Sequence, residues 1–256
     1  MKAHLFCIEC LTNLHVGSGE SNYNIIDNEV ERDPVLKNVP VIHASGVKGA
    51  LRAHCKEILS AEQVKSVFGD ASDAGNTNSG AYKFFTANLL ARPLRVSQGS
   101  ASYVLATTEE IVKKLGWLAS GLGAALEIPT DKPRGKVIAE GETLDWFTPE
   151  GNPGKDLFGE SKIAIAPGFD AFDLPSLARN SLDDKGISNN LWYEEIVPYT
   201  SRFYFFVLAP DVLKIDEKTE FKFTDFSAEL TKAPVQFGGN ASVGYGYCNV
   251  KEVVLP

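Results

Sequence analysis

The stretch from Val39 to Cys55, VPVIHASGVKGALRAHC, constrains this chain more than any other, because its apolar residues ask for a helix while its glycines resist one. Val47, Ala50, Leu51, Cys55, Ile58 and Leu59 recur at spacings of three and four, which predicts a helix opening at Ser45 with that serine as its N-cap. Gly46 and Gly49 fall in its first turns, where each costs roughly 1 kcal/mol relative to alanine. A helix that accepts this at its start must gain something from bare backbone there.

The remaining elements follow from local pattern. Residues 3–12 alternate, with Phe6, Ile8 and Cys10 on one face, as a strand does. Residues 15–40 are too polar and broken for a core and read as a long loop with room for a short hairpin; loops of that length in compact domains are functional or disordered. Ser60 and Gln63 spell a capping box for a second short helix, and residues 70–81 (DASDAGNTNSGA) read as a linker. Residues 82–106 are strand-like with a break at Pro93. Thr107 or Thr108 caps a helix to about Ser120, with Glu109 and Glu110 in the first turn where the dipole favours them. Residues 124–190 are rich in Gly, Pro, Asp and Asn, with short strands near 136–139 and 161–166, and late strands are expected at 200–208 and 243–254. Strand, helix, strands, helix, strands is the order of an α+β sandwich with large insertions. No internal repeat or coiled-coil pattern is present.

Several classes fall away. No run of 18 or more apolar residues exists to span a membrane, and the N-terminus reads as a strand rather than a signal peptide. Four cysteines in 256 residues make no disulfide framework, so a reducing cytoplasm is expected. Cys7 and Cys10 have zinc-like spacing, but three residues along a strand places them on opposite faces and no second pair follows. The formal charge of −8 speaks against a protein that binds nucleic acid everywhere. It is concentrated, however: residues 140–195 hold twelve acids and four bases, which accounts for all of it, while residues 32–56 carry five bases against Asp33 alone.

Chemistry concentrates at three places. Lys48, Arg52 and Lys56, spaced by four, share a helix face. Such a face is more often merely solvated, but a helix N-terminus offers free N–H groups to anions, and Gly46 and Gly49 let a phosphate approach that backbone. The C-terminal loop 237–246, FGGNASVGYG, supplies Gly238, Gly239, Gly244 and Gly246; it is a turn or a second backbone cradle, and beside a basic helix it suits a polyanion better than one small ligand. The loop IIDNEVERD carries Asp27, Glu29, Glu31 and Asp33, which alternation would point one way if it were a strand. It is a solvated acidic loop or, next to a phosphodiester, a place to hold Mg²⁺ or accept a proton from a ribose 2′-OH. All four histidines lie in the first 54 residues, with His15 ending the first strand and His43 preceding the basic helix; neither is assigned acid–base work. No G-x-S-x-G elbow and no complete dinucleotide fingerprint occurs.

Taken together, LHVGSG (14–19), PVIHASGVKGALR (40–52) and FGGNASVGYG (237–246) resemble the RAMP superfamily of CRISPR proteins, whose members carry LHxGxG, a P-x-I-P-G-S-S-L-K-G-x-L-R segment and a terminal GGxxTxGxG loop. GAYKFFTANLLARPLRVSQGSASYVLAT (80–107) and LWYEEIVPYTSRFYFFV (191–207) resemble the repeated backbone subunit of type III-B (Cmr) effector complexes. DNEVERDP has some similarity to the equivalent type III-A (Csm) subunit. The likeness covers most of the chain and thins across 120–190. It departs from the family pattern at His43, Ala44, Gly46 and Ala241.

The resemblance implies a single domain over 1–256, a modified ferredoxin-like (RRM-like) palm with a fingers-side insertion near 60–80 and a thumb-side insertion near 124–190. It implies copies stacked as a helical filament along a guide RNA, beside other type III effector subunits. It assigns Asp27 as the catalytic residue cutting complementary target RNA at regular intervals, with Mg²⁺ or another divalent metal assisting 2′-OH attack on the adjacent phosphate. Its RNA-binding set is His15, Ser45, Gly46, Lys48, Gly49 and Arg52 with Gly238, Gly239, Gly244 and Gly246. Two alternatives stay open: a scaffold subunit that holds guide RNA without cutting, and a metal-independent enzyme that cuts CRISPR repeat transcripts with His15 or His43 as base.

Overall fold

The structure is a computed structural model that describes residues 1–255 except 18, 20–25, 71–77, 129, 131, 132 and 160. In chain order the strands are β1 (Lys2–Cys10), β2 (Val41–Ile42), β3 (Lys83–Phe84), β4 (Ala87–Gln98), β5 (Tyr103–Thr108), β6 (Gly135–Ala139), β7 (Glu142–Phe147), β8 (Ile163–Ala166), β9 (Ser176–Leu182), β10 (Ser188–Glu195), β11 (Arg202–Ala209), β12 (Val212–Lys214), β13 (Glu220–Lys222), β14 (Val235–Gln236) and β15 (Tyr247–Val253). The helices are α1 (Ala44–Ile58), α2 (Ala61–Phe68), α3 (Glu109–Gly121), α4 (Gly154–Phe158) and α5 (Phe223–Leu230). The mixed α+β class matches the expectation.

The main sheet runs β14-β15-β1-β11-β4-β5-β8-β7-β6, with β2 added to β4 and β3 to β11; β9–β10 and β12–β13 are separate antiparallel pairs. The first strand is central, antiparallel to both β11 and β15. Centrality changes its burial. Phe6, Ile8 and Cys10 share a face as the alternation requires, but Leu5 and Cys7 on the other face are buried too. His4 stacks on Phe223 of α5 at 3.5 Å, whereas Cys7 Sγ meets the Leu157 carbonyl of α4 at 3.5 Å, so each face has its own cover. Cys10 instead lies opposite Cys248, Sγ to Sγ 3.8 Å, and all four cysteines are free and buried. An aromatic cluster on the helix side joins Phe6, Phe205, Phe223, Phe226, Tyr82, Phe68 and Phe84.

Helix expectations resting on local chemistry hold. Ser60 and Gln63 close the capping box of α2, and Thr108 accepts the Ile111 N–H to cap α3. Three expectations are corrected. Helix α1 begins at Ala44 with His43 in the N-cap position and no side-chain cap, so Ser45 lies inside the first turn rather than capping it. Pro93 does not interrupt β4: it sits just beyond the last residue paired to β11, where the strand turns to β5, so its missing N–H costs no ladder bond on the abandoned side. The last strand starts at Tyr247, because Gly244 and Gly246 take φ of +83° and +77°, outside the strand region. The linker at 70–81 falls mostly outside the described residues; its ends meet at the Gly69–Ser79 bridge. Among the described residues no helix is long and apolar enough to cross a membrane.

The acidic loop is fastened to this frame by Asp33. One carboxylate oxygen accepts the N–H groups of Val35 and Leu36, both at 2.9 Å, and the other takes the Lys114 ammonium of α3, which also donates to Asn88 of β4 at 2.7 Å. Burial alone would raise the Asp33 carboxyl; Lys114 and the two N–H groups outweigh it and hold Asp33 below its ordinary value. A carboxylate lowered in the folded state contributes stability that is complete above its unfolded value near 3.9 and is lost as pH falls through the lowered native value. Asp33→Asn therefore costs about 1–2 kcal/mol in urea unfolding at pH 7, and the difference from wild type shrinks between about pH 5 and pH 2; an equal loss at both ends would show that charge is not what Asp33 contributes.

Candidate nucleic-acid interface and catalytic loop

The site forms where four segments converge: the end of β1 running into residues 14–17, the acidic ribbon 26–33, the foot of the β9–β10 hairpin, and the glycine-rich loop 237–246. The ribbon is held on both sides. Val30 bridges Gly17 and Arg32 bridges Pro40, while Asn28 bridges Glu194 of β10. Asp27 is locked to the same strand twice, its N–H reaching the Tyr193 carbonyl at 3.1 Å and its Oδ2 accepting the Tyr193 N–H at 2.8 Å. Its side chain remains exposed.

Asp27, Glu31 and Asp33, three of the loop's four acids, do not share one environment. Asp27 is exposed at β10, Glu31 pairs with His43 at 3.2 Å, and Asp33 is buried against Lys114. The ribbon is pinned to different partners along its length, so the common face that simple alternation allows is not realised. Among the described residues no three His, Cys, Asp or Glu side chains converge as a metal site.

The carboxylates that organise the site are Glu194 and Glu195, each 3% exposed. Neighbours on a strand point to opposite faces. Glu195 takes Arg32 at 2.6 Å and the Val30 N–H at 3.1 Å, gripping the ribbon. Glu194 takes Arg179 of β9 at 2.9 Å and the Asn240 amide at 2.7 Å, gripping the glycine-rich loop. The Arg179 guanidinium lies 5.5 Å from the Trp192 ring and 5.6 Å from the Tyr245 ring, bridging hairpin and loop. His15 donates from Nδ1 to the Glu195 carbonyl at 2.7 Å and turns Nε2 towards Glu194 at 3.8 Å. None of Glu194, Glu195, Arg179, Asn240 or Arg32 was singled out from sequence. The signal available was two adjacent acids in LWYEEIVP, flanked by apolar residues that bury them.

His15, Gly238 and Gly239 are brought together: the Gly239 N–H donates to the His15 carbonyl at 2.9 Å, and a Cβ at Gly238 would stand 2.2 Å from that oxygen. At Gly246 an added Cβ would stand 1.9 Å from the Phe237 carbonyl. These glycines serve close packing of backbone on backbone. Gly49 is different, since an added Cβ meets nothing within 4 Å, and Gly46 meets only the Ile42 methyl at 3.4 Å. The fold does not need glycine at 49. Ser45, Gly46 and Gly49 are exposed at the uncapped start of α1, which leaves its first N–H groups accessible to an anion. Lys48 has no hydrogen-bond or ion-pair partner among the described residues. Arg52 is partly engaged, donating to the Gly69 and Asp70 carbonyls at 3.1 and 3.2 Å, and so ties α1 to the end of α2 with two of its five N–H donors.

The RAMP superfamily's sequence model matches residues 7–249. This chain belongs to the RAMP superfamily. A Pyrococcus furiosus member named CRISPR system Cmr endoribonuclease Cmr4 is 26% identical over 99% of this chain and 97% of that protein. A Saccharolobus solfataricus member named CRISPR system CMR subunit Cmr4 is 34% identical over 43% of this chain and 36% of that protein. Among solved RAMP structures, the apo state of a type III-B Cmr-beta complex contains a chain similar at TM-score 0.74 and 22% identity, covering 98% of this chain and 97% of that one. Oligomeric Cmr4 from Pyrococcus furiosus matches at TM-score 0.66 and 22% identity, over 99% of each chain. At these identities the solved structures establish the fold.

The two kinds of glycine in this RAMP protein separate in unfolding experiments. Gly49→Ala raises stability by roughly 0.5–1 kcal/mol, since a helix former replaces an unconstrained glycine. Gly246→Ala lowers it by at least about 2 kcal/mol, from the positive φ and the blocked carbonyl together. Urea midpoints moving in the same direction for both variants would refute the distinction.

Proposed function

We propose that this chain is the repeated backbone subunit of an RNA-guided type III-B CRISPR effector complex, which holds guide RNA and cleaves complementary target RNA at regular intervals. The nearly full-length similarity to a protein named as the Cmr endoribonuclease supports the activity. A solved type III-B Cmr-beta complex bound to cognate target RNA, which matches at TM-score 0.74, and the oligomeric Pyrococcus furiosus structure support target RNA and further copies of the chain as partners. Guide RNA, other type III subunits and a cytoplasmic location complete the reading.

The observation that carries the catalytic assignment is Asp27: an exposed carboxylate on the loop after LHVGSG, held rigidly by the paired bonds to Tyr193. Its Oδ2 is occupied by the Tyr193 N–H, and Oδ1 has no partner among the described residues. A carboxylate so placed can accept the proton of a ribose 2′-OH as that oxygen attacks the neighbouring phosphorus. The Tyr193 N–H fixes the direction of the free oxygen. Lys48 and the open N-terminus of α1 hold backbone phosphates by charge and by N–H donation. Arg52 adds its remaining donors while keeping α1 in register with α2.

A single carboxylate is also a fitting donor for Mg²⁺, which commonly takes one or two carboxylates and completes its shell with substrate phosphate oxygens and water. Asp27 would hold that ion, which when bound would neutralise charge developing on the phosphate.

In the assembled complex, Asp27→Ala lowers target cleavage by at least about a hundredfold while guide and target binding persist; cleavage at the wild-type rate would remove Asp27 from the chemistry. Binding without cutting by the wild-type complex in Mg²⁺ would make the chain a scaffold, and undiminished cutting in EDTA would exclude the metal. Lys48→Ala weakens guide binding for all sequences and lowers the slope of log affinity against log salt by about 0.7, and Gly49→Ala weakens it despite its added stability.

A further inference from the structure

Beyond the palm, five strands close on themselves. The second half of β4 pairs with β5, β5 lies parallel to β8, β8 pairs with β7, β7 with β6, and β6 returns to β4 at Val96–Ala139. At the end of this small barrel where β4 and β7 finish and β5, β6 and β8 begin lies a cavity of about 460 Å³. Barrel mouths of this size are common ligand sites.

The lining is specific in kind. Tyr103 is 42% exposed and Trp146 shares the cavity with it. The Lys162 ammonium lies 4.3 Å from the Trp146 ring centroid and has no carboxylate partner among the described residues. Lys136, also in the lining, is matched by Asp145 at 3.2 Å. Gln98 and Ser161 add an amide and a hydroxyl. Gly135 makes room for the indole, since a Cβ there would stand 3.0 Å from Trp146 Nε1. The mouth is also linked to the site already described. Tyr103 borders a second cavity, of about 660 Å³, whose lining includes Arg95 and Tyr199. The Tyr199 N–H bonds to Asn13, whose carbonyl accepts the Gly246 N–H of the glycine-rich loop.

An acidic peptide would use the lysine but has no need of two aromatic walls, and an apolar ligand would leave the lysine unmatched. A base with its phosphate uses both, because aromatic faces stack bases of any sequence and ammonium groups hold phosphates. We propose that the barrel mouth binds one nucleotide of single-stranded RNA, its base against Tyr103 and Trp146 and its phosphate at Lys162, on a path that leaves the palm past Tyr199. The identity of the polymer rests on the RNA-binding reading above; the pocket's preference for a nucleotide does not.

The test titrates 5′-AMP, adenosine and inorganic phosphate into the full chain by calorimetry, then an unstructured oligo(A) RNA. AMP is expected to bind, with adenosine and phosphate each at least about tenfold weaker. Tyr103→Ala and Lys162→Glu, both at exposed side chains and checked for unchanged melting, each weaken AMP about tenfold. Lys162→Glu also weakens oligo(A) in a chain already carrying Lys48→Ala. Phosphate binding as tightly as AMP, or AMP binding indifferent to Tyr103 and Lys162, would overturn the site. AMP binding that depends on Lys162 while oligo(A) binding does not would overturn RNA as its ligand. Oligo(A) binding that depends on Lys162 and not on Lys48 would uphold this site and refute the role given to α1.

Discussion

Two adjacent buried carboxylates hold the functional region together. Glu194 and Glu195 sit side by side on β10, and strand geometry sends them to opposite faces. A buried carboxylate without partners is severely unfavourable, so each draws an arginine and a further donor to itself. Through Glu195 the strand holds the acidic ribbon; through Glu194 it holds β9 and the glycine-rich loop. Removing one partner of such a pair leaves the other charge stranded, a loss of about 3–5 kcal/mol. Segments separated by more than 150 residues thus have one arrangement available to them. Asp27, bonded to the residue before Glu194, inherits its position from that arrangement.

The glycines divide along the same lines. Gly238 and Gly246 allow one backbone to lie on another, and their positive φ values and blocked Cβ positions leave no other residue comfortable there. Gly49 meets no such demand. Its cost to α1 has no return in folding, which is the physical reason for assigning it to an approaching backbone phosphate. Lys48 beside it is unmatched, while the nearby Arg52 is tethered to α2; one cation of the face is open and another doubles as structure.

Much of the fold was legible. Helices α1, α2 and α3 follow from apolar spacing and from caps contained within a few residues, as at Ser60–Gln63 and Thr108. The first strand, β11 and β15 announced themselves by apolar content. The hairpin β9–β10 did not: most of it is exposed and polar, with no alternation to detect, and short α4 and α5 lack a capping side chain. Of the candidate site, Lys48 and the glycines stood out from their local setting, whereas Asp27 and His15 were singled out only by the resemblance to the family motif. The Glu194, Glu195, Arg179, Asn240 and Arg32 framework was not, because its partners lie from 15 to 163 residues apart and such pairings leave no local trace.

The sequence by itself determined the α+β class, the start of α1 to within two residues, and the superfamily, because each depends on patterns shorter than a helix or on ordered motifs. Only the tertiary structure decided that β1 is buried on both faces, that Asp27, Glu31 and Asp33 part company, and that five strands close into a barrel. Those outcomes depend on which distant segments come to lie side by side, and that is settled by the partners that buried charges and apolar faces find at long range.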